Sequence, residues 1–170
     1  GRLAAEGFVQ AEEQKGFSAA PVSRANLEDL AALRLLVEAA ALERALSGGD
    51  LAWESACVAA HYKLARAEQD MARDPEQAAH REAWALYDAE FHKTLISACG
   101  APEMLAVHAQ VFDKYLRYQM VFLTWRGAQA QAEHQALLDA ALARDTALAL
   151  EILKAHIAGG VTHALARRAL

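Results

Sequence analysis

Cysteine is nearly missing from this 170-residue chain: there are two, Cys57 and Cys99, in apolar surroundings and without CxxC spacing. That excludes a disulfide framework and a cysteine-based zinc site, and it fits a reduced compartment. Proline (three) and glycine (nine) are scarce too, so little of the chain is built for turns. No uncharged apolar run approaches the roughly 18 residues of a membrane span. The opening Gly-Arg-Leu-Ala-Ala-Glu lacks a signal-peptide layout. Basic residues are outnumbered, 17 Lys and Arg against 22 Asp and Glu, for a formal net charge of −5. A phosphate-binding surface needs the opposite balance, so any contact with DNA must come from another segment. Together these absences imply a soluble, cytoplasmic protein with no membrane partner.

What is present is alanine and leucine, within a hydrophobic content of 55%. Such a composition favours helices throughout, and an all-α fold is expected. Residues 1 to 22 differ from the rest. Phe8 to Gln10 and Phe17 to Ala19 are strand-like and flank a polar turn, with Gly7 and Gly16 as punctuation, which suits a small β-hairpin. Arg2 to Glu6 reads as the last turn of a helix stopped by Gly7, as though the chain has lost what preceded it; a frayed terminal arm is the other reading.

Six helical segments follow. The first, with Asn26 as its expected N-cap and Leu30, Leu33, Val37 and Ala40 or Ala41 as its apolar face, ends at Ser47-Gly48-Gly49. Asp50 caps the second, about Leu51 to Met71, with Trp53, Cys57, Tyr62 and Leu64 inward and His61 as a surface or packing residue. Asp74-Pro75-Glu76-Gln77 supplies a cap, an N1 proline and an acceptor at N3 for the third, which runs to about Cys99. Gly100 ends it and Pro102 opens a fourth, reaching toward Trp125. A fifth spans about Ala128 to Ala143, and Asp145 caps a sixth in which Gly159-Gly160 permits a kink or close packing. Short connections between them imply a compact antiparallel bundle of about six helices.

Within this bundle Asp88 and His92 stand one turn apart on the third helix and share a face. His134 lies ten residues before Arg144 and His156 eleven after Asp145. At about 1.5 Å of rise per residue the two histidines meet at one level of an antiparallel hairpin. If all four side chains point inward they make a site for zinc, and equally for nickel, manganese or iron, because such donors discriminate weakly. The alternative is four ordinary hydrogen-bonded or core residues. His163, seven residues after His156, is a substitute ligand; His80 and His108 have no such arrangement.

The chain resembles the effector (FCD) domain of GntR-type bacterial regulators of the FadR subgroup. The likeness rests on Leu3-Ala4-Ala5-Glu6-Gly7-Phe8-Val9 and Lys15 to Ser23, which look like the end of a recognition helix and the wing of a winged helix-turn-helix. It rests also on Leu33 to Glu38, Asp88 to His92, Glu133 to Leu138 and Lys154 to His156. The resemblance implies a remnant of a DNA-binding domain over residues 1–22 and an effector-binding, dimerisation domain over 23–170. It implies a homodimeric transcription regulator whose metal is held by Asp88, His92, His134 and His156, with a small organic acid arriving beside it. Arg34 is the implied partner of that acid's carboxylate, since a guanidinium matches it bidentately; a salt bridge to Glu38 is the competing role. The Trp53 region and the Gln-Lys-Gly-Phe wing are similar to regulators of the carbon-starvation-induced type, which implies glutarate or a related C5 dicarboxylate. Most of the winged helix is absent, so operator DNA is expected to bind this chain poorly.

The expected function is therefore regulatory and not enzymatic. A metal-dependent hydrolase built on the same ion is the alternative. Against it, the sequence has no HExxH, and Glu90 and Glu133, each adjacent to a ligand, are expected to point away. A dimerisation module whose polar core serves stability alone is the third reading.

Overall fold

The structure is a computed structural model and describes residues 9–12, 16–19, 22–122 and 125–167. Two short strands, β1 (Val9–Glu12) and β2 (Gly16–Ala19), pair antiparallel with Val9 opposite Ala19 and Glu12 opposite Gly16. The expected hairpin is there, shifted by a residue or two. The helical turn expected over Arg2 to Glu6 lies outside the described residues.

Six helices follow: α1 (Arg24–Gly48), α2 (Leu51–Arg73), α3 (Ala78–Leu95), α4 (Pro102–Phe122), α5 (Ala128–Leu142) and α6 (Thr146–Arg167). Consecutive pairs α2/α3, α3/α4 and α5/α6 pack together, and α1 closes the bundle against α4 and α6. Leu27, Leu42, Leu64, Met71, Phe91, Phe112, Tyr118 and Leu153 fill its interior.

Caps set the helix limits. The side chain of Ser23, not Asn26, accepts the Asn26 amide at 3.1 Å and starts α1. Asn26 instead accepts a hydrogen bond from the Tyr118 hydroxyl at 2.7 Å, tying α1 to α4. Asp50 caps α2 through the Trp53 amide at 2.9 Å, and Asp145 accepts the Leu148 amide at 3.0 Å, both as expected. Asp74 departs from expectation: it ends α2 instead of starting α3, and Gln77 precedes Ala78 without a side-chain cap. Its carboxylate accepts the Glu76 amide, turning the chain through Pro75 and Glu76. Gly100, at φ +65°, closes the irregular turn after α3.

Two faces differ from the expected apolar pattern. Tyr62 is exposed, and on α1 Leu33 and Leu36 face solvent while Arg34 and Glu38, each 1% exposed, point inward. The helix has buried its charges because they have partners inside, described below. Gly159 and Gly160 produce no break in α6. They allow close packing: a Cβ on Gly160 would stand 3.0 Å from the Tyr115 hydroxyl.

The α1–α2 and α5–α6 corners are clasped by one residue. Arg144 has φ 58°, the left-handed position after α5, with Asp145 N bonded back to Ala140 O in a Schellman turn. Its guanidinium donates to Leu46 O at 2.8 Å and Gly49 O at 2.9 Å, pairs with Glu54, and lies 4.7 Å from the Trp53 ring centroid. Gly49 must be glycine, since a Cβ there would meet the Trp53 ring at 2.4 Å. The Trp53 indole in turn donates to Thr94 O at the end of α3. Arg144→Ala should cost about 1–3 kcal/mol, because two part-buried carbonyls lose their donor. Arg144→Gly should cost roughly 1 kcal/mol less, because glycine relieves the left-handed strain. Urea unfolding of both variants checks the order; equal losses would remove the backbone contribution from this account.

Candidate metal centre

The i, i+4 spacing on α3 turns Asp88 and His92 to the interior, and the α5–α6 hairpin brings His134 and His156 to the same level. All four residues are buried and offer one donor atom each, and those atoms lie within 4.8 Å of one another. The His134 and His156 rings are 4.6 Å apart between centroids, and His92 and His156 5.2 Å. Asp88 Oδ1 is 3.3 Å from His134 Nε2 and 3.9 Å from His92 Nε2. The four residues singled out by spacing are thus brought together. His163 is not among them and instead lines an outer cleft.

Each ring is fixed from behind by a carboxylate. Glu38 on α1 takes Nδ1 of His92 at 2.5 Å, Glu68 on α2 takes Nδ1 of His134 at 2.8 Å, and Glu133 takes Nδ1 of His156 at 2.8 Å. An ionised carboxylate only accepts, so it holds the ring proton on Nδ1 and leaves Nε2 as a donor of electrons. Nε2 of His92 and Nε2 of His134 are buried with no hydrogen-bond partner; the His134–Asp88 approach is close but misaligned for one. Gln119 steadies the fourth residue, donating from Nε2 to Asp88 Oδ2 at 2.9 Å.

Glu90 lies outside, paired with Lys63 at 2.7 Å, as expected. Glu133 does not point away: it is the hinge between His156 and Arg126, which pairs with both of its oxygens. Arg126 also donates to His156 O at 3.2 Å. The salt-bridge role weighed for Arg34 is present. Its Nε pairs with Glu38 Oε2 at 2.8 Å, and its guanidinium sits 4.4 Å from the Phe112 centroid, while Nη2 is buried without a partner. His108 joins the same Glu38 oxygen at 3.0 Å.

Arg34, Trp84, Asp88, Tyr115, Gln119, Arg126, His134 and His156 line a cavity of about 20 Å³. Trp84 Nε1, Gln119 Oε1, Arg34 Nη2 and His134 Nε2 all lack partners around it. Orphaned polar atoms are costly in a protein interior, and here they border a single small space fit for a polar guest.

Electrostatics match ligand chemistry at three of the four residues, and at His134 a proton stands in for the ion. Burial penalises the Asp88 anion, but His134, His92 and Arg34 overcome it and hold the carboxyl well below its usual range. Burial pushes His156 down to about 3 despite Glu133, and lowers His92 despite Glu38, so both rings are neutral at pH 7. His134 goes the other way: burial is outweighed by Asp88 and Glu68, which raise it to about 9. Burial of Glu38 is likewise outweighed by Arg34 and His92, which keep it ionised.

Sequence comparison agrees with this architecture. Residues 23–159 match the FCD domain family. The chain belongs to that family. It is 32% identical over 164 residues to the HTH-type transcriptional regulator BphR of Paraburkholderia xenovorans LB400, covering 94% of this chain and 65% of that protein. It is 30% identical over 162 residues to the HTH-type transcriptional repressor GlaR of Escherichia coli K12, covering 92% and 72%. A crystal structure of a GntR-family transcriptional regulator from Pseudomonas syringae pv. tomato DC3000 superposes with TM-score 0.66 at 20% identity, over 95% of this chain and 65% of that one. The FCD chain thus spans just under two thirds of the length of BphR. Both relatives carry the names of transcriptional regulators, not of hydrolases.

Glu38→Ala should destabilise the metal-free protein by about 3–5 kcal/mol, since Arg34, His92 and His108 lose a shared buried acceptor. The stability Glu38 contributes is present above its ordinary value of 4.5 and falls away as the pH drops below it, because its folded value is depressed. Urea midpoints of wild type and variant should therefore draw together progressively as the pH falls below 4.5; a constant gap would contradict the ionised role of Glu38.

Proposed function

We propose that this FCD domain holds a divalent metal ion on Asp88, His92, His134 and His156, and that a small organic acid reaches the ion. In this reading it is the sensory part of a FadR-subgroup regulator that controls operator binding in a cytoplasmic homodimer. The observation that carries it is the set of three imidazole nitrogens and one carboxylate oxygen within 4.8 Å, every imidazole fixed by its own carboxylate. That span is close to the roughly 4 Å between opposed ligands on an ion with bonds of about 2.0–2.2 Å. Charge supports it too. Four carboxylates touch the site, from Glu38, Glu68, Asp88 and Glu133, against two guanidiniums from Arg34 and Arg126. A dication removes the difference.

Zinc suits this donor set, as do nickel, manganese and iron. When bound, the ion supplies a Lewis-acidic position that a carboxylate can occupy if coordination exceeds four. The protein groups do the rest: Arg34 offers its unpartnered Nη2, and Trp84 and Gln119 offer polar atoms around the same space. A C5 dicarboxylate such as glutarate is the proposed effector. The acid must prefer one arrangement of the dimer, and it shifts DNA binding by no more than that preference. Residues 1–22, with the β1–β2 hairpin, are proposed as the end of a winged helix-turn-helix.

Three measurements test this. Metal content after dialysis should approach one equivalent in wild type and fall sharply in His134→Ala and His156→Ala. Because His134 keeps its proton up to about 9, that proton competes with the ion. Apparent affinity should rise about tenfold per pH unit between pH 7 and pH 9. Full occupancy in both variants would contradict the assignment; affinity flat with pH would show that no His134 proton is displaced by the ion. Glutarate should raise the melting temperature of metal-loaded wild type and leave Arg34→Gln nearly unmoved, since only a bound ligand stabilises by mass action. An equal rise in Arg34→Gln would remove Arg34 from the ligand contacts.

A further inference from the structure

The inner cavity is about 20 Å³, room for one water-sized group and too small for an organic acid. On the other side of Arg126 lies a cleft of about 760 Å³, lined by residues that include Pro75, Trp125, Gln129, Gly159 and Thr162. Arg126 borders both spaces. Its side chain is 6% exposed and is held by Glu133 and by the His156 carbonyl. It belongs to neither helix, lying between Phe122 and Ala128. The helix opposite has made room for it: a Cβ on Gly159 would stand 2.6 Å from Arg126 Nη1 and 3.0 Å from Cζ. A glycine inside α6 has a helical cost of roughly 1 kcal/mol against alanine, and the seat of this guanidinium accounts for it.

We infer that Arg126 is the gate of the site, the movable wall that a small carboxylate passes from the outer cleft to the cavity. This rests on the proposal that the cavity takes an acid. Its chemistry suits an anion, because the guanidinium that leaves Glu133 meets a carboxylate in its path and stays paired. The remaining polar lining is carried on α1, α3, α4, α5 and α6, so the passage opens by the swing of one side chain, and the volume that the guanidinium vacates enlarges the cavity for the acid.

The test needs neither metal nor effector. Diethylpyrocarbonate, a neutral reagent larger than the cavity, acylates unhindered neutral imidazole, and peptide mass spectrometry reads each histidine separately. In the metal-free protein, His92, whose buried and unpartnered Nε2 stands 3.9 Å from the cavity-lining Asp88, reports passage through the gate. His108, buried on the Glu38 side, reports general loosening. Two variants open the gate by different means: Arg126→Ala removes the wall, and Gly159→Ala keeps the arginine and evicts it from its seat. Both should acylate His92 at least tenfold faster than wild type, with His108 changed less than twofold. Unchanged His92 rates in both variants would overturn the gate. So would parallel acceleration of His92 and His108, which means the bundle has loosened as a whole. Chelator extraction of zinc separates the two proposals: protein that binds no zinc refutes the metal site, whatever the acylation rates show.

Discussion

A neutral imidazole has one nitrogen that donates and one that accepts, and fixing the first to a carboxylate decides where the second points. This chain does so three times, with Glu38, Glu68 and Glu133 behind His92, His134 and His156. The three carboxylates come from three helices, α1, α2 and α5, so the packing of the bundle is what aims the rings. Glu38 carries the largest share. It accepts from Arg34, His92 and His108, and so joins α1, α3 and α4 through one carboxylate.

Such a core is expensive unless it is occupied. Buried charges gain little net stability from one another, and a hydrophobic interior of the same volume would do as well. Unpartnered Trp84, Gln119, Arg34 and His134 atoms around a space of about 20 Å³ add to the cost. A ligand carboxylate would supply the acceptor that Trp84 and Arg34 lack, and an ion would take Nε2 of His134. The clasp by Arg144 and the caps at Ser23, Asp50 and Asp145 hold the bundle while its centre stays polar.

Much of this was legible in the sequence. Alanine-rich helices bounded by Asp50, Gly100, Pro102 and Asp145 gave the architecture, and level counting on the α5–α6 hairpin gave the pairing of His134 with His156. The spacing of Asp88 and His92 gave the third side. Four things were hidden. On α1 the polar network reverses the usual pattern, so Leu33 and Leu36 face solvent and the inward face carries Arg34 and Glu38. Glu68 has no local signal, since its partner is 66 residues away. Glu133 was expected to point away because it neighbours a ligand, but successive helical residues diverge by only about 100°, and a glutamate is long enough to reach the ring on the facing helix. Arg126, in a connection, had no periodicity to place it.

The central claim is that one ion occupies the point on which Asp88, His92, His134 and His156 converge. Anomalous diffraction from crystals of the purified protein, collected on both sides of the zinc, nickel, iron and manganese edges, addresses it most directly. The account predicts a single strong peak between those four side chains, with the element given by the edge at which it appears. Crystals soaked in excess zinc that show no anomalous peak there, with the four side chains ordered, would contradict it.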